Sequence, residues 1–320
     1  MDIEGPIVGE LPSITVRQQR SGEQITGNLV KPTLADFLMV YRSVFRNYKE
    51  VIARKMLNLY PLTAYTRMGD KLLVNNNNEE FKIPWLLLYG MSPDIAHDTV
   101  RLSYCDRQLT FEGGVTDGSL HEVFGFQIYS LLKVKGRTVI DIGANIGDSS
   151  IYFALSGANR VIAIEPYPMT AEKARKNAIL NRFDDRVEIL NIACDSTDGF
   201  IGVDPQRVAV AGMSAYDAPG KYEIAIRTLN SILEESQVKN PILKMDCEGC
   251  ESNVIASSNV ETLREFEEIM IEYHNDPAWI ISKLVSAGFS VKFSRAVKQK
   301  HRRKGVTAYV GTIHARRIGS

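Results

Sequence analysis

The side chains best suited to chemistry fall in three places along a chain of 320 residues. In the first, the apolar pair Val139-Ile140 leads into Asp141. A glycine turn follows, Gly143-Ala144-Asn145-Ile146-Gly147-Asp148, then a helical stretch from Ser149 to Leu155. A second buried strand, Val161–Ile164, ends on Glu165-Pro166. In the second, a strand over Ile242–Met245 runs into Asp246, Glu248, Gly249 and Glu251. In the third, Glu272 and His274 close the apolar run Ile269–Tyr273. Glycines let backbone approach a ligand closely, and the carboxyl ends of strands are where α/β sheets bind ligands. An acid ending the second strand can accept hydrogen bonds from both hydroxyls of a ribose. Three carboxylates in six residues repel one another, which points to a raised carboxyl pKa, a bound cation or a polyhydroxyl substrate. The competing reading is a helix N-terminus with acids in its first turn. His274 is the candidate general base, since imidazole titrates near neutrality.

The spacing narrows the ligand. A dinucleotide turn wants three glycines as G-x-G-x-x-G, and Asp141–Gly147 offers two, four residues apart. The phosphate loop is also absent, because no Lys follows Gly147. An acid before the first glycine disfavours phosphate and suits a cationic ligand with an amino group. S-adenosylmethionine has that character.

The stretch Asp141–Pro166 resembles the cofactor motif of class I methyltransferases. The run Lys244–Glu251, with Glu272-Tyr273-His274 as a helper, narrows the resemblance to the FkbM family, over roughly residues 115–315. The resemblance implies a Rossmann-like α/β fold, with a seven-stranded, mostly parallel sheet whose last strand is antiparallel. It implies an S-adenosylmethionine-dependent O-methyltransferase acting on sugar hydroxyls or other small hydroxylated metabolites. Gly143, Ala144, Asn145 and Gly147 are then expected to contact the cofactor through backbone, and Asp141 to lie near its methionine end. Glu165, with Pro166, is expected at the ribose and Asp195 at the adenine. Glu122 is the candidate from the element ahead of the motif. Asp246, Glu248 and His274 are expected to face the acceptor, Asp246 also bordering the cofactor. The family usually has Asp where Asn230 stands, which leaves a helix cap but no charge.

The rest of the chain supplies the frame. Pro32 to Leu59 reads as a packing helix with an apolar stripe that includes Phe37, Tyr41 and Phe45. His121–Leu132 reads as a helix ahead of the sheet, and residues 196–227 as a hairpin insertion. The expected division is an extension over 1–114, partly helical, and a methyltransferase domain over 115–320. Acids and bases balance at 38 each, so no global field draws the protein to nucleic acid or anionic membrane. No apolar run approaches the roughly 20 residues that span a bilayer. No basic segment followed by an apolar core opens the chain, so a cytoplasmic protein is expected. Four cysteines imply no disulfide framework. Cys247 and Cys250 form a C-x-x-C, but the pair is interleaved with the acidic run and no second pair stands at zinc spacing, so neither a metal nor a redox role is assigned to it. The basic run Lys298–Lys304 reads as a solvated loop without aromatics to stack bases. Three other readings stay open: an RNA methyltransferase, an NAD-dependent enzyme, and a non-catalytic module that assembles as a homo-oligomer through the N-terminal helix.

Overall fold

Short runs that are apolar at every position, such as Val161–Ile164, suit strands covered on both faces. The computed structural model places them so, and describes residues 14–17, 24–27, 34–57, 59–67, 69, 71–74, 77–205, 220–274, 276–300 and 307–319. They fall into two compact units, Ser13–Ile128 with Ile179–Asn181, and Tyr129–Ala178 with Arg182–Ser320.

The larger unit is built on a mixed sheet. Its strands run in the order Val187–Leu190, Arg160–Ile164, Thr138–Ile142, Ile242–Met245, Glu268–His274, Thr307–Arg317 and Phe289–Phe293. The first five are parallel to one another. Thr307–Arg317 runs antiparallel to both its neighbours and also pairs with Val297–Lys300. This is the α/β architecture expected from the sequence. The order reverses between Thr138–Ile142 and Ile242–Met245, so a crevice opens outside the carboxyl ends of these two strands. In their register Asp141 stands directly opposite Lys244.

A three-stranded sheet of Ala193–Cys194, Tyr222–Arg227 and Gly199–Val203 forms the expected hairpin insertion, with residues 206–219 outside the described set. The helix Leu229–Ser236 is capped by Thr228, whose hydroxyl accepts from the Ser231 amide at 3.2 Å. Asn230, expected at the cap, lies inside the helix and donates to Glu234 at 2.8 Å. Thr228→Ala should therefore lower stability by about 1 kcal/mol, read as a shift of the urea midpoint, with Asn230→Ala costing less.

The smaller unit carries helices at Leu34–Val44, Tyr48–Met56 and Asn77–Leu88, and a three-stranded meander, Ser92–Asp94, Thr99–Tyr104 and Arg107–Glu112. The single helix expected over Pro32–Leu59 is broken, because the strand Leu62–Tyr65 docks into it. Asn47 there accepts from the Tyr65 amide and donates to the Thr63 carbonyl, both at 2.9 Å. Tyr41 and Phe45 are 1% and 2% exposed, so their rings pack within the unit rather than forming an outer face. The Phe37 side chain lies outside the described residues, as do residues 301–304 and the side chains of 298–300 from the basic run. The helix expected over His121–Leu132 is one π-helical turn, His121–Phe126, ended by Gln127 at a left-handed φ of 53°. Among the described residues no helix is long and apolar enough to cross a membrane.

Candidate active site

The glycine loop leaves the central strand with Gly143 at φ +80°, where a Cβ would overlap the carbonyl oxygen of Asp246. Only glycine lets these two strand ends approach so closely. Gly147, at φ +84°, packs on Ala174. The loop's amides are already engaged. Those of Gly143 and Ala144 donate to the Ile164 carbonyl at 3.0 Å, and that of Gly147 to Ala144 at 2.8 Å. Ala144 and Gly147 are buried, whereas Gly143 and Asn145 stay partly exposed. Gly143 and Asn145 are thus the loop positions open to a ligand, while Ala144 and Gly147 shape the turn.

Asp141 is wholly buried. One of its oxygens accepts from Ser149 at 2.7 Å and Ser150 at 2.6 Å, tying the strand to the helix Asp148–Leu155. The other faces Lys244 Nζ at 3.0 Å. Lys244, itself buried, also donates to the Gly143 carbonyl at 2.8 Å. Burial works against its charge, but Asp141, Asp246 and Asp148 outweigh that and raise its pKa. The sequence marks Lys244 only as part of the acidic run; cross-strand register makes it the strut of the glycine loop.

Glu165 is 3% exposed, and its two oxygens accept from the amides of Asn145 at 3.0 Å and Tyr167 at 2.9 Å. Burial pushes its carboxyl up to about 7, against the pull of those amides and Lys244. Asn191, which sequence reasoning passed over, donates to the carbonyls of Glu165 and Pro166 at 2.9 Å each and so fixes this strand end. The strand expected over Val187–Ala193 stops at Leu190. Asp195 instead follows Ala193–Cys194 in the small sheet, accepting from the Ser196 amide. Glu122 belongs to the smaller unit, half exposed and 3.9 Å from His121.

The acidic run folds into a tight loop. Glu248 and Gly249 take left-handed φ values of 59° and 125°. Glu251 is buried and accepts from the amides of Cys247 and Gly249, both at 2.9 Å. That bonding makes Glu251 the staple of the loop. Cys247 and Cys250 are joined as a disulfide, which the sequence reading did not assign. His274 Nε2 lies 3.1 Å from Glu248 and 3.8 Å from Glu272, and Nδ1 lies 3.7 Å from Glu251. Burial opposes charge on this imidazole, but the neighbouring carboxylates of Glu248 and Glu251 prevail and lift its pKa to about 11. The carboxylates of Glu248 and Glu272 with His274 form a set whose atoms all lie within 4.8 Å. Such a set could hold a divalent cation.

Asp246 differs. Its amide bonds the Ile142 carbonyl at 3.0 Å, which holds the residue beside the glycine loop. Burial, with Glu248 and Glu251, pushes its carboxyl up to about 7, while Lys244 and His274 pull it down. A carboxyl that titrates near neutrality and reaches partial exposure can take a proton from an incoming hydroxyl. Tyr129, not anticipated from sequence, stands behind this edge, with Lys244 Nζ 5.7 Å from its ring centre. Burial holds its hydroxyl protonated, and Asp246 adds to the effect.

Residues 141–291 match the family model described as Methyltransferase FkbM domain. Among curated proteins the chain is similar to "Uncharacterized protein 65" of Sulfolobus islandicus filamentous virus, 25% identical over 46% of this chain and 65% of that protein. It is also similar to the ribosomal protein L11 methyltransferase of Heliobacterium modesticaldum, 43% identical over 16% of each. The chain therefore spans less than two thirds of the length of these relatives. Among solved structures it is similar to the tRNA m1G37 methyltransferase of M. jannaschii, with a TM-score of 0.41 and 14% identity over 79% of this chain and 62% of that one. It is similar too to an O-methyltransferase from Bacillus cereus in complex with SAH, with a TM-score of 0.34 and 19% identity over 58% and 76%.

Proposed function

Taking residues 141–291 as an FkbM methyltransferase domain, we propose that the protein transfers the methyl group of S-adenosylmethionine to a hydroxyl of a sugar or other small hydroxylated metabolite. The observation that carries this reading is Glu165. It is a buried carboxylate at a strand end, anchored by the Asn145 amide of the adjoining glycine loop. Each of its oxygens keeps a lone pair for a ribose hydroxyl. The donor set fits the cofactor. Gly143 and Asn145 are the partly exposed positions of the loop, while the acids around them suit a cation and repel the pyrophosphate of NAD.

When bound, S-adenosylmethionine supplies an electrophilic methyl group on a good leaving group. The chain's work is then to align the acceptor and remove one proton. Asp246 is the proposed base, since its carboxyl titrates near neutrality. The sequence points to His274 for that task. The proposal gives His274 and Glu248 a different part: together they present a charged pair that hydrogen-bonds acceptor hydroxyls. Lys244 and Asp141 hold the loop in place. The assigned region is residues 115–320, with 1–114 as an extension, and a cytoplasmic location is part of the same proposal.

Calorimetric titration with S-adenosylmethionine and with NAD, on wild type and Glu165→Ala, tests the cofactor. Wild type is expected to bind the first and not the second. The variant should bind S-adenosylmethionine at least about 100-fold more weakly, the loss of two charge-assisted hydrogen bonds. Binding of neither ligand by wild type would overturn the catalytic reading.

A further inference from the structure

The disulfide between Cys247 and Cys250 closes around the residues proposed to face the acceptor. Asp246 precedes it, Glu248 and Gly249 lie inside it, and Glu251 follows it. The enclosed backbone is demanding. Glu248 holds φ +59°, a region that costs a side-chain-bearing residue energy, and Gly249 holds φ +125°. Two non-covalent ties act on the same loop, the Glu251 carboxylate on the amides of Cys247 and Gly249, and Glu248 on His274. The covalent bridge is the third. Its two sulfurs are unequal, since Cys250 is buried in the main core while Cys247 is partly exposed beside it. Both cysteines can also pack as thiols, because free Cys behaves as a small hydrophobe. The loop therefore has two chemically accessible states in the same place.

We propose that Cys247 and Cys250 form a redox-active dithiol site whose disulfide locks the acidic loop, so that thiol–disulfide exchange sets how Asp246 and Glu248 are presented. The partner is a small thiol or dithiol. Its thiolate attacks the exposed Cys247 sulfur, the S–S bond breaks, and Cys250 leaves as a thiolate that takes up a proton. The reductant's second thiol then attacks the mixed disulfide, releasing Cys247 as a thiol and the reductant as its own disulfide. Two electrons and two protons enter the protein. The remaining cysteines take no part: Cys105 is exposed and distant in sequence, and burial pushes the Cys194 thiol well above its ordinary pKa. The functional meaning of the switch rests on the methyltransferase reading, but its existence does not.

The test uses the full chain after oxidised glutathione, after dithiothreitol, and as the Cys247→Ser/Cys250→Ser variant. Thiol titration in denaturant should find two thiols in the oxidised protein and four after reduction, from four cysteines in all. Hydrogen exchange over 246–251 should be at least tenfold faster in the reduced protein and in the variant, with residues 138–147 unchanged. Four thiols after oxidised glutathione would overturn the proposal. So would equal exchange in the two states, or a loss of protection throughout the sheet, which would make the bridge a fold constraint. S-adenosylmethionine titration of the same samples reads the cofactor site separately, so failure of one reading is not failure of the other.

Discussion

Asp246→Asn is expected to lower kcat/KM for methyl transfer by about 10²–10⁴-fold, the usual contribution of a positioned base. The substitution keeps shape and volume, so S-adenosylmethionine binding should change by less than about threefold. The assay is transfer of labelled methyl to the acceptor recovered from a panel of glycosides. In wild type the rate should rise with pH through about 7, as the Asp246 carboxyl loses its proton. The variant should lose that limb. His274→Gln should keep it, because an imidazole held protonated up to about 11 does not titrate there. If the limb vanished in His274→Gln and persisted in Asp246→Asn, the roles would be reversed. Stability moves the other way. The folded-state pKa of Asp246 lies above its ordinary 3.8, so its protonated form favours the fold. That contribution is fully present below about 3.8 and is lost as pH rises through about 7. Urea midpoints at pH 5 and pH 8 should fall with pH in wild type, and less in Asp246→Asn.

Lys244→Ala should cost about 3–5 kcal/mol of stability, because it leaves Asp141 buried without its cation. The pair is as enclosed as any among the described residues, with side-chain exposures of 2% and 0%. The Gly143 carbonyl loses its donor in the same step, so cofactor binding should weaken as well. Equilibrium urea unfolding reads the first effect and calorimetry the second. Asp141→Asn added to Lys244→Ala should recover part of the loss, since the uncompensated charge is then gone. A cost below about 1 kcal/mol for the single variant would mean that water reaches the pair, and the strut would lose its basis.

The two motifs were readable in the chain because their constraints are local. Gly143 needs a left-handed turn, Glu165 ends an apolar run, and Asp246 opens a loop that Glu251 closes four residues past Cys247. The sheet followed from alternation of such runs with helical stretches. Other features depended on distant residues. The break after Val44 needs the Leu62–Tyr65 strand to supply Asn47 with partners. The early end of the strand Val187–Leu190 needs Tyr222–Arg227 to draw off Ala193–Cys194. Thr228, rather than Asn230, caps its helix, with Asp198 accepting from the Thr228 amide and the Ser231 hydroxyl.

The sequence by itself determined the fold class, the glycine loop and the set of acids at the carboxyl edge, because hydrophobic period and turn chemistry act over a few residues. Only the tertiary structure decided how those groups are paired and charged. Cross-strand register brings Lys244 onto Asp141, and packing of strand ends puts Glu248 on His274. Burial and neighbouring charge then set the proton on His274 and leave Asp246 near neutrality. A pKa is a property of an environment assembled from residues up to about a hundred positions apart, as Lys244 is from Gly143, and no local pattern encodes it.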